Sequence, residues 1–387
     1  MTTLANTPFD ALIVGAGPAG AHLGYLLARR GCAVAIIDKS SFPRDKVCGG
    51  GISRKTAQLL DFDLAPLIEQ RIGGAYLTVR NQGSVYTAVE PALGCTVLRN
   101  EFDDFLLHRA CAAGARFFAR TTFLDAASGQ KRVTLETDRG ALHGRLLVGA
   151  DGVASAVRGK LFGKQVVRYV PALEALLVPS RATPFDGRAL FDFGAMLRGY
   201  GWIFPKREHL NVGIYSLFGG RQLRARLAAF LAHYERLRQP RAIRYQGFAI
   251  PVCNAPALFQ GGRVWLLGDA AGLADALFGE GIYFALKSAA LAAQALAETG
   301  FAPHNLRYSG LLKRQLLPEL RASQWLGQAL FAAPAIVPRL LRNPRAVDNF
   351  AGVIGGAVGY RQCLARTLVG LPQWLLAKPG LPTVAAL

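Results

Sequence analysis

Glycines and one acidic residue near the start of the chain are spaced as a site for two linked phosphates requires. Residues 15–20 read GAGPAG, and Asp38 follows a short distance further on. Gly15 permits a tight turn, Gly17 lets the backbone approach a pyrophosphate, and Gly20 lets a following helix pack closely. N–H groups at the start of that helix attract phosphate, and a carboxylate at Asp38 can accept ribose hydroxyls. The spacing therefore predicts a dinucleotide site.

The elements around these residues have the order that such a site needs. The apolar run from Asp10 to Val14 predicts a buried strand, the alanine- and leucine-rich segment up to Arg30 predicts a helix, and residues 33–37 predict a second strand. This unit favours dinucleotide binding over a glycine-rich structural turn. The acid at the end of the second strand also disfavours a 2′-phosphorylated nucleotide, because like charges would meet.

A second glycine-rich loop follows. Residues 43–51 read PRDKVCGGG. Three glycines after Cys48 predict a loop whose backbone comes close to a flat or crowded group. The alternative is a flexible surface loop, which the apolar Val47 beside Cys48 makes less favourable.

Composition limits the classes of protein to consider. The chain has 387 residues, of which 51% are hydrophobic and 18% charged, and its formal net charge is +20. The length suggests two or three domains, and this composition is not that of a disordered protein. The positive charge predicts an anionic partner or surface. The arginines are dispersed, so we do not expect nucleic acid as that partner.

The cysteines and the chain start indicate a reducing compartment. No CxxC pair or His-rich segment accompanies the cysteines, so we expect neither structural disulfides nor a metal site; the cysteines are Cys32, Cys48, Cys95, Cys111, Cys253 and Cys363. No apolar run reaches the length of a membrane span. A polar stretch of eight residues leads directly into the first strand, so we expect no cleaved signal peptide and a cytoplasmic location.

The rest of the chain alternates between sheet-like and helical segments. Alternation over residues 166–252 predicts a largely antiparallel sheet that contains one helix, and the residues from 305 onward are helical and basic. Further elements are predicted as a hairpin within 72–89 that turns at 81–83, a helix that the stretch 97–106 opens just after Arg99 and that runs to about 113, strands at 115–120, 132–137 and 145–148, and helices over 221–236 and 282–298.

Separate motifs together resemble a known class of flavoenzyme. GAGPAG with Asp38, GADG at 149–152 and LLGDAAG at 266–272 are similar to motifs of FAD-dependent oxidoreductases of the p-hydroxybenzoate hydroxylase structural type. Three more stretches resemble the geranylgeranyl reductase family within that type. They are PRDKVCGG at 43–50, YGWIFPK at 200–206 with NVG at 211–213, and GEGIY at 279–283. The resemblance covers roughly residues 9–300, and Ala276-Leu277-Phe278 replaces a proline that the family commonly has before GEG.

The resemblance implies an α/β fold. It consists of a Rossmann-like FAD-binding domain, a mainly antiparallel β-sheet substrate domain and a helical C-terminal region. The boundaries that we expect are 1–75, 95–165 and 250–304 for the discontinuous FAD-binding domain, 76–94 and 166–249 for the substrate domain, and 305–387 for the helical region.

The resemblance also implies roles for individual residues. FAD would lie along Gly15, Gly17, Ala19, Gly20, Asp38, Cys48, Gly49, Gly51, Arg99, Phe123, Asp269, Gly281 and Ile282. Gly281 and Ile282 would place helix N-terminal N–H groups against the pyrimidine end of the flavin and stabilise its reduced form. Cys48 is a candidate proton-delivering residue, although a small residue that fits the turn is an equal alternative. Tyr200, Trp202 and Phe204 would line a substrate pocket or belong to an ordinary sheet core.

The implied reaction is reduction of carbon–carbon double bonds in an isoprenoid or other lipid substrate. The alternative on the same scaffold is a flavin monooxygenase or halogenase. The residues leave the electron donor open among NADPH, NADH and ferredoxin, and they leave the oligomeric state open.

A surface role is also expected for the basic C-terminal segment. Its cations and apolar residues alternate as in helices that lie in the headgroup layer of an anionic membrane, and a helical cap over the substrate domain is the alternative. These residues are Lys313, Arg314, Arg321, Arg339, Arg342, Arg345, Arg361 and Arg366 with Trp325, Leu326, Phe331, Ile336, Leu340 and Leu341.

Overall fold

The computed structural model describes residues 7–163, 167–196, 198–217, 219–234, 237–252, 259–302, 306–333, 336–337, 340 and 343–376. The predictions made for Cys253, Arg339, Leu341 and Arg342 lie outside these residues. The described strands form sheets of eight, seven and three strands, numbered below in chain order.

The eight-stranded sheet holds the nucleotide-type motifs. Its central strands run parallel in the order β18-β11-β1-β2-β8, and β9 and β10 extend β11 as an antiparallel meander. Its members are β1 (Phe9–Val14), β2 (Val34–Ile37), β8 (Arg116–Phe118), β9 (Phe123–Ser128), β10 (Val133–Thr137), β11 (Gly140–Gly149), β17 (Gln260–Gly261) and β18 (Val264–Leu266).

The seven-stranded sheet is antiparallel except where β13 pairs with β5. Its order is β16-β12-β15-β14-β13-β5-β6. Its members are β5 (Gly74–Val79), β6 (Gln82–Ala88), β12 (Arg168–Val178), β13 (Arg188–Phe193), β14 (Gly199–Pro205), β15 (Leu210–Ser216) and β16 (Ala242–Val252). The small sheet joins β3 (Gly51–Ser53), β7 (Gly94–Val97) and β4 (Ile68–Ile72).

Helices cover both large sheets. They are α1 (Pro18–Ala28), α2 (Arg54–Ala57), α3 (Arg99–Ala112), α4 (Ala156–Leu161), α5 (Leu223–His233), α6 (Ile282–Thr299), α7 (Arg307–Gln315), α8 (Leu317–Ala332), α9 (Pro344–Gly355) and α10 (Tyr360–Leu376). Among them, none is long and apolar enough to cross a membrane.

The predicted α/β fold with an antiparallel sheet and a helical C-terminal region is confirmed. The hairpin of β5 and β6 is present, but its turn is Arg80-Asn81, one residue earlier than predicted, because both residues adopt the positive φ that a tight hairpin requires. The short strands β3, β4 and β7 and the edge strand β9 were not predicted. The domain boundaries stay a prediction, and β16 runs across the proposed boundary at 249–250.

Alternation along β14 directs its side chains to two different cores. Ile203 lies in the cluster under α5, whereas Trp202 belongs to the larger core that includes the nucleotide-type sheet, since successive side chains in a strand face opposite ways. Phe204 packs on the same side as Trp202. The seven-stranded sheet therefore presents its aromatic face toward the nucleotide-type sheet.

The C-terminal helices pack onto the rest of the protein. The Tyr308 hydroxyl on α7 donates to the Leu266 carbonyl at 2.8 Å, and its ring stacks on Trp265. The Tyr360 backbone N–H donates to Glu319 of α8 at 2.6 Å. Phe331, which we expected on a membrane-facing surface, is instead buried in the core.

Candidate active site

One continuous cavity of about 730 Å³ runs between the two large sheets. All the predicted site residues line it except Gly20. The residues brought together are Gly15, Gly17, Ala19, Asp38, Cys48, Gly49, Gly51, Arg99, Phe123, Asp269, Gly281, Ile282, Tyr200, Trp202 and Phe204. A Cβ at Gly20 would overlap the carbonyl oxygen of Gly15, so this glycine serves close packing of α1. The ligand contacts assigned to the other residues stay predictions.

Asp38 is fixed at one end of the cavity by backbone N–H groups. Its two carboxylate oxygens accept from Ala16 N and Ser40 N, each at 2.9 Å. Gly15, at φ +103°, lies so close to Ala150 that a Cβ would overlap the Ala150 carbonyl. The turn after β1 is thus packed closely against Ala150, and the Asp38 carboxylate is oriented beside it.

Two arginines meet a buried carboxylate near this turn. Arg99 donates from Nε and Nη2 to Asp103, both at 2.8 Å, and Arg44 Nη2 lies 3.3 Å from the same carboxylate. Arg44 Nη2 also lies 3.4 Å from where a Cβ at Gly17 would be. Arg99 is therefore held by its neighbour one helical turn away, and Arg44, which the sequence reasoning did not select, is the cation that faces the glycine turn.

The loop around Cys48 is shaped by glycines. Gly50 has φ +65°, and its N–H donates to Cys48 Sγ at 3.4 Å. A Cβ at Gly50 would overlap the Val97 carbonyl, and one at Gly49 would lie 3.0 Å from the Phe204 ring. The loop therefore packs directly on the aromatic face of β14.

Asp269 lies at the middle of the cavity wall. Burial raises the pKa of its carboxyl, and the positive charges of Lys46, Arg99 and Arg158 oppose that rise. A Cβ at Gly281 would lie 3.1 Å from Asp269 Oδ1, so glycine leaves room for this carboxyl beside the start of α6.

Arg158 holds the segment that carries Asp269. Its guanidinium donates to the Ala270 carbonyl at 2.6 Å and to the Asp269 carbonyl at 3.3 Å, and it also donates to Val153 O at 2.7 Å. This buried arginine joins the GADG and GDAAG segments. Arg158 could not be selected from the sequence, since its partners on the Asp269 segment lie more than a hundred positions away.

The GEG loop is tied by two acids. Asp275 accepts backbone N–H groups of Leu277 at 2.9 Å, Phe278 at 2.8 Å and Glu280 at 2.5 Å. Burial, with Glu280 nearby, raises the pKa of Asp275 to about 6. The Glu280 carboxylate pairs with Lys55 Nζ at 2.7 Å. These contacts give the loop a defined shape without the proline that the family commonly has there.

The remaining cavity wall is aromatic and apolar. The Tyr200 hydroxyl donates to the Phe278 carbonyl at 2.6 Å, and Trp202 Nε1 donates to Asn211 Oδ1 at 2.7 Å. Among the other apolar lining residues, which the sequence did not mark as site residues, are Phe191, Phe278, Val353 and Ile354. The last two belong to α9, which lies beyond the stretch that carried the resemblance.

The residues present fit FAD. One end of the cavity offers an open glycine turn, an oriented carboxylate and a cation, which suit a ribose and a diphosphate. The middle offers the Cys48–Gly51 backbone, Asp269 and the N-terminus of α6, which suit the flavin. Among the described residues, no group of three or more His, Cys, Asp or Glu side chains is placed to hold a metal ion.

Comparison with known proteins supports this assignment. Residues 8–167 match the family model described as an FAD binding domain. The geranylgeranyl diphosphate reductase of Rhodobacter capsulatus is 30% identical over 302 residues, which cover 74% of this chain and 74% of that protein. The menaquinone reductase of Mycolicibacterium smegmatis is 30% identical over 339 residues, which cover 80% and 81%.

Solved structures share the fold. A geranylgeranyl bacteriochlorophyll reductase-like protein from Thermoplasma acidophilum has a TM-score of 0.75 at 20% identity over 95% of this chain and 98% of that one. The flavin-dependent brominase Bmp2 has a TM-score of 0.75 at 18% identity over 95% and 99%. At these identities the two structures show a shared fold and nothing more. The sequence relatives and the FAD-binding domain match show that the chain belongs to the geranylgeranyl reductase family and is an FAD-dependent oxidoreductase.

Proposed function

We propose that the protein reduces carbon–carbon double bonds in an isoprenoid chain. The observation that carries this proposal is the apolar part of the cavity lining, which includes Trp202, Phe204 and Phe191 together with Val353 and Ile354. An aliphatic chain with no polar group needs such a lining. The two sequence relatives are named for reduction of geranylgeranyl diphosphate and of menaquinone, both of which carry isoprenoid chains.

Bound FAD supplies the hydride in such a reduction. The chain's own residues bind the cofactor, orient the double bond and control water. The Cys48–Gly51 loop, pressed against Phe204, fixes the distance between the backbone and the aromatic wall. Tyr200, held by the Phe278 carbonyl, keeps the GEG loop against the same wall. An isolated double bond is a poor hydride acceptor, so this positioning and a proton source are what the site must provide.

The experiment is an anaerobic single-turnover reaction. The purified protein, with its FAD reduced by dithionite, is mixed separately with geranylgeranyl diphosphate, with menaquinone and with an unsaturated digeranylgeranyl glycerolipid. We expect flavin reoxidation and a product heavier by two hydrogens per reduced bond, measured by mass spectrometry. No mass shift with any of the three would reject the proposal. In air, a hydroxylated or halogenated product from an aromatic substrate would instead support the monooxygenase or halogenase alternative.

We also propose that the protein is cytoplasmic and docks on the anionic membrane surface where such substrates reside. Apolar side chains stand in solvent on two C-terminal helices, at Trp325 of α8 and at Leu368 and Val369 of α10, with exposures of 67%, 67% and 80%. Exposed arginines, Arg361 and Arg366, lie on the same helix as the latter pair. Apolar groups flanked by cations suit the headgroup layer of an anionic bilayer.

A further inference from the structure

A buried carboxyl group lies on the cavity wall and has no role in the description so far. Glu174 belongs to β12, between β15 and β16, and only 4% of it is exposed. It lines the cavity in company with Cys48 and Trp202. The strand register pairs Glu174 with Gly213 and Gly213 with Trp202, so Glu174 is on the same sheet face as Trp202, with the Asn211 side chain and the Cys48 backbone nearby. Glu174 thus lies beside the loop that carries the sequence-derived candidate Cys48.

The neighbouring amide is oriented by Trp202, whose Nε1 donates to Asn211 Oδ1 at 2.7 Å. A protonated carboxyl group holds one O–H that it can donate. Because Glu174 lines the cavity, that proton can be passed to a molecule bound there.

The surroundings of Glu174 act on its pKa in opposite directions. Burial raises the pKa of Glu174, while the nearby Asn211 side chain, the Cys48 backbone and the positive charges of Lys206 and Lys46 oppose that rise. These two lysines lie directly after β14 and on the loop before β3. Burial lowers the pKa of each lysine to about 8, so the site shifts toward neutral forms of both acid and base.

We propose that Glu174 donates the proton that completes reduction of the double bond, an inference that rests on the proposed function. One alkene carbon receives a hydride from reduced FAD, and the other receives the carboxylic proton of Glu174. The π bond breaks and two C–H bonds form, which leaves FAD oxidised and Glu174 as a carboxylate. Water returns the proton to Glu174, and an external donor of two electrons, such as a reduced nicotinamide, reduces FAD again.

The test compares the full-length protein with Glu174→Gln, which keeps the size of the side chain but holds no acidic proton. The matched control is Glu69→Gln, a carboxyl on β4 that faces Lys206 but does not line the cavity. Infrared spectra recorded across pH follow protonated carboxyl groups, and stopped-flow absorbance follows reoxidation of reduced FAD by geranylgeranyl diphosphate. FAD content is measured for every variant.

We expect the wild-type protein to show a carboxylic C=O band that titrates above the ordinary range of glutamate and is lost in Glu174→Gln. We expect that variant to keep FAD and to react roughly 100-fold more slowly. The wild-type rate should fall as pH rises through the Glu174 pKa, and the variant's rate should not. The control should match the wild type in all three measurements.

Other results would overturn the assignment. Absence of the band, or a Glu174→Gln variant with the wild-type rate and pH profile, would show that the proton comes from elsewhere. If Glu174→Gln fails to hold FAD, the wild-type pH profile decides, and a wild-type rate that does not fall as pH rises would reject the role. A wild-type protein that reduces no isoprenoid rejects the proposed function itself, which a defect confined to the variant does not.

Discussion

Asp38 is held by Ala16 N and Ser40 N through both carboxylate oxygens, which orients it before any ligand arrives. We predict that Asp38→Ala weakens FAD binding by about 10- to 100-fold, because a hydrogen bond to a charged group and the orientation of the turn are both lost. Fluorescence titration of apoprotein with FAD measures the change. Asp38→Asn keeps one acceptor oxygen and should lie between the two. Wild-type affinity in Asp38→Ala would contradict the ribose role of this residue.

Cys48 and Glu174 are separable candidates for the proton. If Glu174 is the donor, Cys48→Ala should reduce alkenes within about threefold of the wild-type rate, since the substitution removes the thiol but keeps the backbone of the loop beside Glu174. Single-turnover reoxidation of reduced FAD in Cys48→Ala and Cys48→Ser gives the comparison. A loss as large as that expected for Glu174→Gln would restore the thiol as the proton source.

His22 of α1 predicts a pH effect on folding. The side chain is buried, and among the described residues neither ring nitrogen has a hydrogen-bond partner. Burial lowers its pKa from 6.5 to about 4, although Asp61 opposes the shift. Between pH 6.5 and pH 4 His22 is therefore protonated in the unfolded chain and neutral in the folded protein. The contribution of this residue to stability is lost as pH falls from 6.5 toward 4.

We expect the free energy of unfolding of His22→Leu to rise by about 2 kcal/mol relative to that of the wild type when the pH falls from 7 to 5, because only the wild type loses this stability. Denaturant unfolding with saturating FAD at both pH values measures it. The control is His108→Gln, because His108 is largely exposed. An equal difference at both pH values would show that His22 takes up a proton in the folded state.

At the scale of elements, the loop between β2 and β3 depends on Gly50. Its positive φ and its closeness to the Val97 carbonyl leave no room for a Cβ, whereas Gly31, at φ +76°, has nothing within 4 Å of that position. We predict that Gly31→Ala costs about 1 kcal/mol of stability and keeps FAD. Gly50→Ala should displace the loop and lose most of the bound flavin.

Flavin absorbance after gel filtration, with thermal unfolding of both variants, tests this pair. Gly31 and Gly50 both have positive φ, so alanine is strained at either position. The difference between Gly31→Ala and Gly50→Ala therefore measures the overlap of the new Cβ with the Val97 carbonyl. Equal flavin retention would show that the loop can move away from Val97 without affecting the cavity.

The elements that could be predicted are those whose signals are local. The unit β1–α1–β2 was predicted to within about two residues, because its apolar runs and glycines are adjacent in the chain. The strands β3, β4 and β7 were missed, since three to five residues show too little alternation. Glu174 was missed for another reason: its neighbours Cys48 and Trp202 come from distant segments that only the folded sheet brings together.

At the scale of the whole molecule, the formal charge of +20 and the exposed apolar groups on α8 and α10 predict reversible membrane docking. We expect binding to vesicles that contain anionic lipid at low salt, and weaker binding as salt screens the charges. The variant Trp325→Ser with Leu368→Ser should bind roughly tenfold more weakly, because two apolar insertions are lost. Vesicle flotation measures the bound fraction.

The matched control is Leu124→Ser, which removes an exposed apolar side chain from β9 of the nucleotide-type sheet. Point substitutions are preferable to removal of the C-terminal region, because Tyr308 is anchored to Leu266 and α9 lines the cavity. Equal flotation of the wild type, the double variant and Leu124→Ser would mean that Trp325 and Leu368 do not contact the membrane and that the C-terminal helices only cover the substrate domain.

The parallel pairing of β5 with β13 has a consequence for the order in which the protein assembles during synthesis. Thr78 and Asp192, 114 positions apart, are joined by a hydrogen bond of 2.7 Å in the interior of this pairing. The β5–β6 hairpin therefore leaves the ribosome before β13, and the edge of β5 that pairs with β13 stays unpaired while the intervening nucleotide-type strands β8 to β11 are synthesised. An open edge is a template for wrong partners, and pairing over such a distance is slow. The time spent translating residues between β6 and β13 is thus the interval in which the nascent chain is most exposed to aggregation.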